Sequence, residues 1–162
     1  MLKDALATFP GVERRFTYRI NTNERVLIDD YAHHPTEIDA VYQAVTEMYP
    51  GEEVLAVFQP HLFSRTRDFL DGFAASLGQF HKVALLDIYP AREVPITGIT
   101  STLLAQKIKE NTPQATVVEV LEKTEIASFI EKMKTRIVVM IGAGDIGSEI
   151  DRLTKNWAHE KI

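Results

Sequence analysis

The sequence predicts an α/β fold: an open, mostly parallel, Rossmann-like sheet with helices on both faces and an antiparallel hairpin at its N-terminal edge. The first observation is a set of continuous apolar runs, because strands buried on both faces of a parallel sheet read as unbroken hydrophobic stretches. These runs lie at residues 26–28, 54–58, 83–86 and 137–141. The second observation is that segments with helical apolar spacing separate the runs, and such alternation is typical of α/β sheets.

Two weaker segments complete the predicted sheet. Residues 116–118 form a short apolar run that we interpret as a fifth strand. Residues 14–20 alternate polar and apolar side chains, and the turn-like residues 21–24 lead directly into the first apolar run. We therefore expect an antiparallel hairpin between residues 14–20 and 25–28.

The helices are predicted from apolar spacing. Pro35 suits the first position of a helix, since its missing N–H would have no partner there. One apolar stripe follows it: Ile38, Val41, Tyr42, Val45, Met48 and Tyr49. A second helix is expected after Ser64, with these side chains inward: Phe69, Leu70, Phe73, Ala74 and Leu77. Further helices are expected near residues 101–109, near 125–134 and from Asp145 towards Trp157.

Composition restricts the class of protein. With 162 residues, 45% of them hydrophobic, the chain has the size of one globular domain. We expect that domain at residues 11–162 and interpret residues 1–10 as the tail of an upstream linker. A net charge of -5 without a basic stripe argues against nucleic-acid and anionic-membrane partners. No cysteine occurs and no apolar run approaches the roughly 20 residues of a membrane span, so a cytoplasmic protein is expected.

Residues that can carry chemistry collect where the predicted strands end. In an open α/β sheet, ligands bind outside the carboxyl ends of the strands, because loops and helix N-termini converge there. The segments after four strands contain aspartate, histidine, arginine or paired glycines: residues 29–34, 59–65, 87–93 and 142–145. The sequence therefore predicts a binding site at this edge of the sheet.

Several of these residues also have purely structural interpretations. Adjacent residues of extended chain point to opposite sides, so His33 and His34 are not expected to share a metal ion, and no metal site is predicted. His34 can simply precede the helix, and His61 can hydrogen-bond the backbone of its own loop. Asp29 or Asp30 can end the strand through an Asx turn.

Arg65 differs from its neighbours in the same predicted helical turn. We interpret Arg67 and Asp68 as a solvated ion pair. A cation in the first turn of a helix opposes the helix dipole. We therefore expect Arg65 to have a function, such as holding a carboxylate.

The segment 142–147, with the sequence GAGDIG, matches the pattern G-x-G-x-x-G after a strand and before a helix. A dinucleotide site also needs a further strand about 20 residues on, with an acid for the ribose, and only 15 residues of this sequence come after Gly147. We expect the glycines to permit a tight turn and a close approach of backbone N–H groups to a carboxylate or phosphate. The motifs G-x-x-x-x-G-K-[ST] and G-x-S-x-G do not occur, so the sequence has neither a P-loop nor a nucleophile elbow.

Taken together, the strand-end segments closely resemble the C-terminal domain of the Mur ligase family, in particular members that join L-alanine to UDP-N-acetylmuramate. Four motifs in the same order carry the resemblance: DDYAHHPTE at 29–37, FQPH followed by SRT within 58–66, DIYPARE at 87–93 and GAG at 142–144. The resemblance extends from about Gly11 to the last helix. It implies the third domain of a cytoplasmic, three-domain ligase of peptidoglycan synthesis.

The same resemblance implies a reaction. ATP phosphorylates the muramyl carboxylate, and the amine of L-alanine then attacks the acyl phosphate to form an amide, releasing ADP and phosphate. The first domain of such a ligase would hold the UDP-sugar, and the central domain would carry the P-loop and most contacts to Mg²⁺. Since this sequence has no P-loop, we expect the chain to fold but not to catalyse alone. Closure of the missing N-terminal and central domains onto the strand-end edge would complete the site.

Roles for single residues follow from the resemblance. Asp30 would contact the nucleotide ribose, and Arg15 would contact the nucleotide from the same side. His33 would face the reacting centre, and Arg65 would hold the alanine carboxylate. The residues expected to shape the surroundings of the site are Asp29, His61, Arg92, Gly142 and Gly144.

The sequence departs from the family pattern at one position. Some family members have an arginine directly after the FQPH motif, where this sequence has Leu62. Arg65 then has less help in holding a carboxylate, or Arg92 or another group is the second anchor.

Two alternatives remain at the level of sequence. One is a stand-alone receiver-like or ligand-binding α/β module that senses a small anion or nucleotide and binds another protein. A receiver would carry a phosphorylatable aspartate at the end of a central strand, whereas the run at 54–58 continues into Gln59 and Pro60. The other alternative is a related ligase that joins a peptide, rather than alanine, to the same sugar.

Overall fold

The computed structural model describes residues 12–112 and 115–159, so the predicted linker at 1–10 lies outside the described residues. The strands are β1 (Thr17–Asn21), β2 (Val26–Asp30), β3 (Val54–Phe58), β4 (Lys82–Leu85), β5 (Val117–Val120) and β6 (Ile137–Ile141). The helices are α1 (Pro35–Met48), α2 (Phe63–Asp68), α3 (Leu70–Leu77), α4 (Ser101–Asn111), α5 (Ile126–Met133) and α6 (Ile146–His159), with a 3-10 turn at Lys123–Glu125.

The strands form one mixed sheet in the order β1-β2-β6-β3-β4-β5. β1 pairs antiparallel with β2, and every other neighbouring pair is parallel. The predicted fold class is therefore confirmed, including the antiparallel hairpin at one edge and the weak fifth strand at the other. None of the helices among the described residues is long and apolar enough to span a membrane.

Helices cover both faces of the sheet and bury two apolar clusters. On one face, α1, α3 and α4 pack against alternate strand residues. On the other face, α5 and α6 pack against the intervening ones. β3 and β6 are buried along their whole length, since they lie in the middle of the sheet and are covered on both sides. This accounts for the unbroken apolar runs from which they were predicted.

Three details of the predicted helices were wrong. The single helix expected after Ser64 is two helices that meet at Phe69, and this side chain is 41% exposed rather than inward. The break lets α3 pack closely on the beginning of α1, where Ser76 Oγ donates a hydrogen bond to the carbonyl of Pro35. Met48, which was expected on the apolar stripe, is the last residue of α1 and is 52% exposed. Its sulfur accepts a hydrogen bond from the hydroxyl of Tyr18.

The topology places a crevice at the end of β6. This strand lies between β2 and β3, which lead into helices on one face, whereas β6 leads into α6 on the other face. Where the connections of adjacent parallel strands diverge in this way, the loops separate and leave room for a ligand. Because β1 runs antiparallel to β2, the residues that precede β1 lie at the same edge.

Candidate functional site at the strand ends

Arg14 ties three parts of this edge together. Its Nε donates to Asp29 Oδ1 at 3.1 Å, and its Nη2 donates to the carbonyl of Gly142 at 2.7 Å. Asp29 is only 2% exposed, and burial raises the pKa of its carboxyl group while the ion pair with Arg14 opposes that rise. Asp29 thus joins the end of β2 to Arg14. Sequence reasoning missed Arg14, since nothing in the local pattern separates it from Arg15.

Asp30 ends β2 through an Asx turn, which confirms one of the structural interpretations. Its Oδ1 accepts from the backbone N–H of Ala32 at 2.8 Å, and its Oδ2 accepts from that of Phe16 at 2.7 Å. Burial raises the pKa of Asp30, and these two hydrogen bonds work against the rise. Each carboxylate oxygen has a second lone pair, so the group can still accept from a ligand hydroxyl.

Asp30 lines a cleft with Arg15. The cleft has a volume of about 280 Å³, and α1 contributes Ala40 and Ala44 to its wall. Arg15 is exposed, and its positive charge acts on the carboxylate of Asp30. The two residues expected to contact a nucleotide therefore lie together.

His33 is held by its own loop and by α1. Its backbone N–H donates to Glu37 Oε2 at 2.8 Å, and its Nδ1 lies 3.0 Å from the carbonyl of Tyr31. A carbonyl can only accept, so neutral His33 carries its proton on Nδ1 and leaves Nε2 as an acceptor. His34 instead caps α1, as the structural interpretation expected, with its Nδ1 against Thr36.

His61 and Arg65 contact each other. Arg65 Nη1 lies 3.3 Å from His61 Nδ1, so the guanidinium donates and the neutral imidazole carries its proton on Nε2. Burial and then the Arg65 charge lower the pKa of His61. The His61 ring stacks on Tyr89 with centroids 5.6 Å apart and lies 6.3 Å from the ring of His33. The expectation that His61 bonds the backbone of its loop was wrong: its ring partner is Arg65.

The loop between β4 and α4 fixes the beginning of α2. Glu93 accepts from Ser64 Oγ at 2.5 Å and from the Ser64 backbone N–H at 3.0 Å, and these bonds lower the pKa of Glu93. Leu62 has a φ of 73°, a conformation that costs about 1–3 kcal/mol for a residue with a side chain. The hydrogen bond from its N–H to the carbonyl of Tyr89, 2.9 Å long, helps to hold it there.

The arginines of the chain fall into two groups. One group forms ion pairs with carboxylates: Arg14, Arg19, Arg25, Arg67, Arg136 and Arg152. The pair of Arg67 with Asp68 is solvated, as predicted. Within residues 12–112 and 115–159, no carboxylate lies within 4.0 Å of the guanidinium groups of Arg15, Arg65 or Arg92. All three lie at the strand-end edge, where an anionic ligand can supply the missing charge.

The glycine loop, residues 142–144, packs against neighbouring parts of the chain. Gly142 has a φ of 150°, and a Cβ there would lie 2.9 Å from the carbonyl oxygen of Gln59. A Cβ at Gly144 would lie 2.4 Å from Gln59 Oε1 and 2.8 Å from the ring of Tyr89. Gln59 and Tyr89 therefore make the close contacts with this loop inside the chain, and the approach of the loop N–H groups to an anionic ligand stays a prediction.

Replacing Gly144 with alanine is expected to lower the free energy of unfolding by about 1–3 kcal/mol, the usual cost of inserting a methyl group into packed surroundings. Gly144 has no left-handed backbone, so the cost arises from contact alone. The comparison variant is Gly51→Ala, where φ is 79° but no atom lies within 4 Å. Urea denaturation followed by circular dichroism measures both. A smaller loss for Gly144→Ala than for Gly51→Ala would contradict the packing.

The carboxylates and imidazoles described at this edge are not arranged as a set of metal ligands. Among the residues that the structure describes, no group of three or more His, Asp and Glu side chains is placed to hold a metal ion. The edge also offers the guanidinium groups of Arg15, Arg65 and Arg92, which have no carboxylate partner among the described residues. This set suits an anionic substrate.

Comparison with known proteins assigns the family. The family described as "Mur ligase, glutamate ligase domain" matches residues 14–146. The chain belongs to this family. The strand-end residues Arg15, Asp30, His33 and Arg65 all lie within the matched segment, as does the glycine loop.

Relatives of this Mur ligase domain share one name. The UDP-N-acetylmuramate--L-alanine ligase of Christiangramia forsetii is 57% identical over 159 residues, which cover 98% of this chain and 34% of the relative. The enzyme of the same name from Flavobacterium johnsoniae is 56% identical and is covered to 32% of its length, with 93% of this chain matched. The chain thus spans about a third of the length of these relatives.

Solved structures show the same fold. The UDP-N-acetylmuramate-alanine ligase of Thermotoga maritima superposes on this Mur ligase domain with a TM-score of 0.74 at 26% identity, covering 98% of this chain and 33% of that one. A domain of a Haemophilus ducreyi ligase superposes with a TM-score of 0.61 at 22% identity, covering 88% of this chain and 98% of that one. The second likeness concerns the fold alone.

Proposed function

We propose that residues 11–162 are the C-terminal domain of a cytoplasmic, ATP-dependent ligase that joins L-alanine to UDP-N-acetylmuramate in peptidoglycan synthesis. Residues 1–10 would then end the linker from a central domain. The observation that carries the proposal is the set of arginines at the strand-end edge, which lack carboxylate partners among the described residues. The shared name of relatives that match nearly the whole chain supports the identity of the substrates.

The reaction joins a carboxylate to an amine in two steps. The γ-phosphoryl group of ATP moves to a carboxylate oxygen of UDP-N-acetylmuramate, which gives ADP and an acyl phosphate. The neutral amine of L-alanine then attacks the acyl carbon, the C–N bond forms, phosphate leaves and the nitrogen loses a proton. Charge on the phosphoryl groups must be balanced in both steps, and donors fixed in advance do this best.

We assign the nucleotide to the cleft beside β2. Arg15 supplies a positive charge there, and Asp30 can accept from a ribose hydroxyl through the second lone pair of either carboxylate oxygen. The sequence contains no P-loop, and the described residues offer no cluster of metal ligands. The remaining contacts to ATP and those to Mg²⁺ are therefore assigned to the central domain of the full ligase.

We assign L-alanine to the space beside β3. Arg65 holds its carboxylate in a charge-assisted hydrogen bond, and the Nε2 of His33 accepts from its amine. His61 lies near both His33 and Arg65. Its Nδ1 accepts from Arg65, so the neutral ring carries its proton on Nε2. Since Leu62 has no donor in its side chain, Arg92 remains a candidate for the second carboxylate anchor.

The structure of the β3 end argues against a receiver-like module. The residue after this strand is Gln59, which is 1% exposed and hydrogen-bonded at both ends of its amide, so no phosphorylatable aspartate stands there. The alternative with a peptide substrate is best separated from alanine by assay. The murein peptide ligase of Psychrobacter arcticus has the same fold, with a TM-score of 0.71 at 21% identity.

A chimera tests the proposed function. This chain replaces the matching third of the Christiangramia forsetii ligase, and phosphate release is measured with ATP, Mg²⁺, UDP-N-acetylmuramate and L-alanine. We expect turnover that requires both substrates, and none from the present chain alone. The matched controls are the parent ligase and the chimera given a peptide with an N-terminal L-alanine in place of the amino acid. A folded chimera that binds the UDP-sugar but releases no phosphate would refute the proposal, and release with the peptide alone would favour the related ligase.

A further inference from the structure

We propose that Gln59 is a positioning residue that sets the distance between the glycine loop and the segment carrying His61 and Arg65. The consequence for turnover rests on the proposed function, whereas the consequence for loop geometry does not. Gln59 follows β3 directly and is 1% exposed, which is rare for an amide side chain unless all of its polar atoms are satisfied.

The amide of Gln59 can adopt only one orientation. Its Nε2 donates to Asp145 Oδ1 at 2.7 Å, and its Oε1 accepts from the backbone N–H of Ile146 at 2.9 Å. A carboxylate only accepts and a backbone N–H only donates, so exchanging the two ends of the amide would leave both bonds unmade. One side chain thus fixes both the turn after the glycine loop and the first residue of α6.

Asp145 is itself held in place. Lys123 Nζ donates to its Oδ2 at 2.5 Å, across the sheet edge from the 3-10 turn. Burial raises the pKa of Asp145, but the hydrogen bonds from Lys123 and Gln59 outweigh it and lower the pKa below its ordinary value. The carboxylate is therefore ionised at neutral pH and remains an acceptor for Gln59.

Packing transmits the position of Gln59 in two directions. On one side, Gly142 and Gly144 lie against its carbonyl and its amide so closely that neither position has room for a Cβ. On the other side, Gln59 continues into Pro60, whose carbonyl accepts from the N–H of Tyr89 at 2.8 Å. The ring of Tyr89 stacks on His61, which contacts Arg65. A shift of Gln59 would therefore reach both loops.

The glycine loop also contacts the nucleotide side of the site. The N–H of Gly142 donates to the carbonyl of Asp30 at 3.0 Å, and its carbonyl accepts from Arg14. The two halves of the site, with Arg15 and Asp30 on one side and His61 and Arg65 on the other, are thus joined through this loop. Gln59 makes the side-chain connection on the amino-acid side.

An exchange of donor and acceptor tests the proposal. Gln59→Glu sets a carboxylate against that of Asp145, and Asp145→Asn changes the acceptor for Gln59. In the double variant Gln59→Glu/Asp145→Asn, the introduced amide donates to the introduced carboxylate, whose other oxygen accepts from Ile146 N–H. The asparagine oxygen can still accept from Lys123. The bonds are restored with their direction reversed, so the double variant should recover what Gln59→Glu loses.

Two readouts separate positioning from simple stability. In ¹⁵N amide spectra of the present chain, Gln59→Glu should shift Gly142, Gly144, His61 and Arg65, and the double variant should return them. In the chimera, KM for L-alanine should rise about tenfold in Gln59→Glu, because a displaced Arg65 holds the substrate carboxylate less well, with a smaller change for ATP. If Gln59→Glu does not fold, Gln59→Met, which removes both bonds without adding charge, takes its place in both measurements.

The outcomes are distinct. If the melting temperature falls but the amides of His61 and Arg65 and the KM for L-alanine stay unchanged, Gln59 is only structural and the proposal is overturned. Failure of the double variant to restore the amides also overturns it. If the unsubstituted chimera has no activity, the proposed function fails, and the amide spectra alone decide whether Gln59 couples the loops.

Discussion

Replacing Arg14 with methionine is expected to lower the free energy of unfolding at neutral pH by about 1–3 kcal/mol, the usual cost of leaving a buried polar group without its partner. Asp29 is 2% exposed and Arg14 Nε is its ion-pair partner at 3.1 Å. The substitution keeps the length and the apolar stem of the side chain, so the loss arises from the carboxylate that stays behind. The same change leaves the carbonyl of Gly142 without its side-chain donor.

The loss of unfolding free energy in Arg14→Met should depend on pH. Burial raises the pKa of Asp29 and Arg14 opposes the rise, so Arg14→Met raises the pKa of the folded state further. A raised carboxyl pKa means that the folded state binds a proton more tightly than the unfolded state, and stability then falls as pH rises through the window between the two pKa values. We therefore expect the difference between variant and parent to be largest above the raised pKa and to shrink below the ordinary carboxyl pKa.

Urea denaturation at several pH values measures this difference. The matched control is Arg14→Met/Asp29→Asn, in which position 29 no longer titrates, so its stability relative to the parent should change with pH less than that of Arg14→Met. An equal loss at all pH values in Arg14→Met would mean that lost packing, and not the unpaired carboxylate, is responsible.

The fold could be predicted because its signals are local. Strands β3 and β6 are buried on both faces, so their residues are continuously apolar, and this pattern needs no knowledge of partners. Pro35 marked the beginning of α1 for an equally local reason, since it lacks the N–H that the first turn does not use. The break at Phe69 was not predicted, because it depends on how α3 approaches α1.

The site could be predicted only in part, because its supporting contacts join distant segments. Arg14 bonds a residue 15 positions away, Glu93 bonds Ser64 across 29 positions, and Gln59 bonds Asp145 across 86. No local sequence pattern predicts hydrogen-bond partners that lie so far apart in the chain. The one signal available for Gln59 was a polar residue that directly continues a fully apolar strand.

Replacing Arg65 with methionine is expected to raise KM for L-alanine in the chimera by about 100-fold or more, as is typical when one partner of a charge-assisted contact is removed. KM for ATP should change little, because the proposed nucleotide residues Arg15 and Asp30 lie beside β2 rather than β3. Arg67→Met is a matched control in the same helix, since Arg67 is exposed and, within residues 12–112 and 115–159, pairs with its neighbour Asp68 alone. Initial rates of phosphate release at varied L-alanine measure both variants.

The titration of His61 checks the geometry of Arg65 without any turnover. The positive charge of Arg65 contributes to the lowered pKa of His61, second only to burial. Arg65→Met in the present chain should therefore raise the pKa of His61 in an NMR pH titration, and Arg67→Met should not. An unchanged His61 pKa would mean that the two side chains are not in contact in solution.

Together the two measurements on Arg65 decide what holds the amino acid. If the pKa of His61 rises and KM for L-alanine rises, Arg65 both lies in the site and binds the carboxylate. If the pKa rises but KM does not, Arg65 only positions His61, and the carboxylate is held elsewhere. Arg92 is then the group to replace, because it is the other arginine on the β4 side of the edge without a carboxylate partner among the described residues. The variant Arg65→Lys helps to separate carboxylate binding by Arg65 from a role in positioning His61. Lysine keeps the positive charge but lacks the planar guanidinium group that pairs best with a carboxylate.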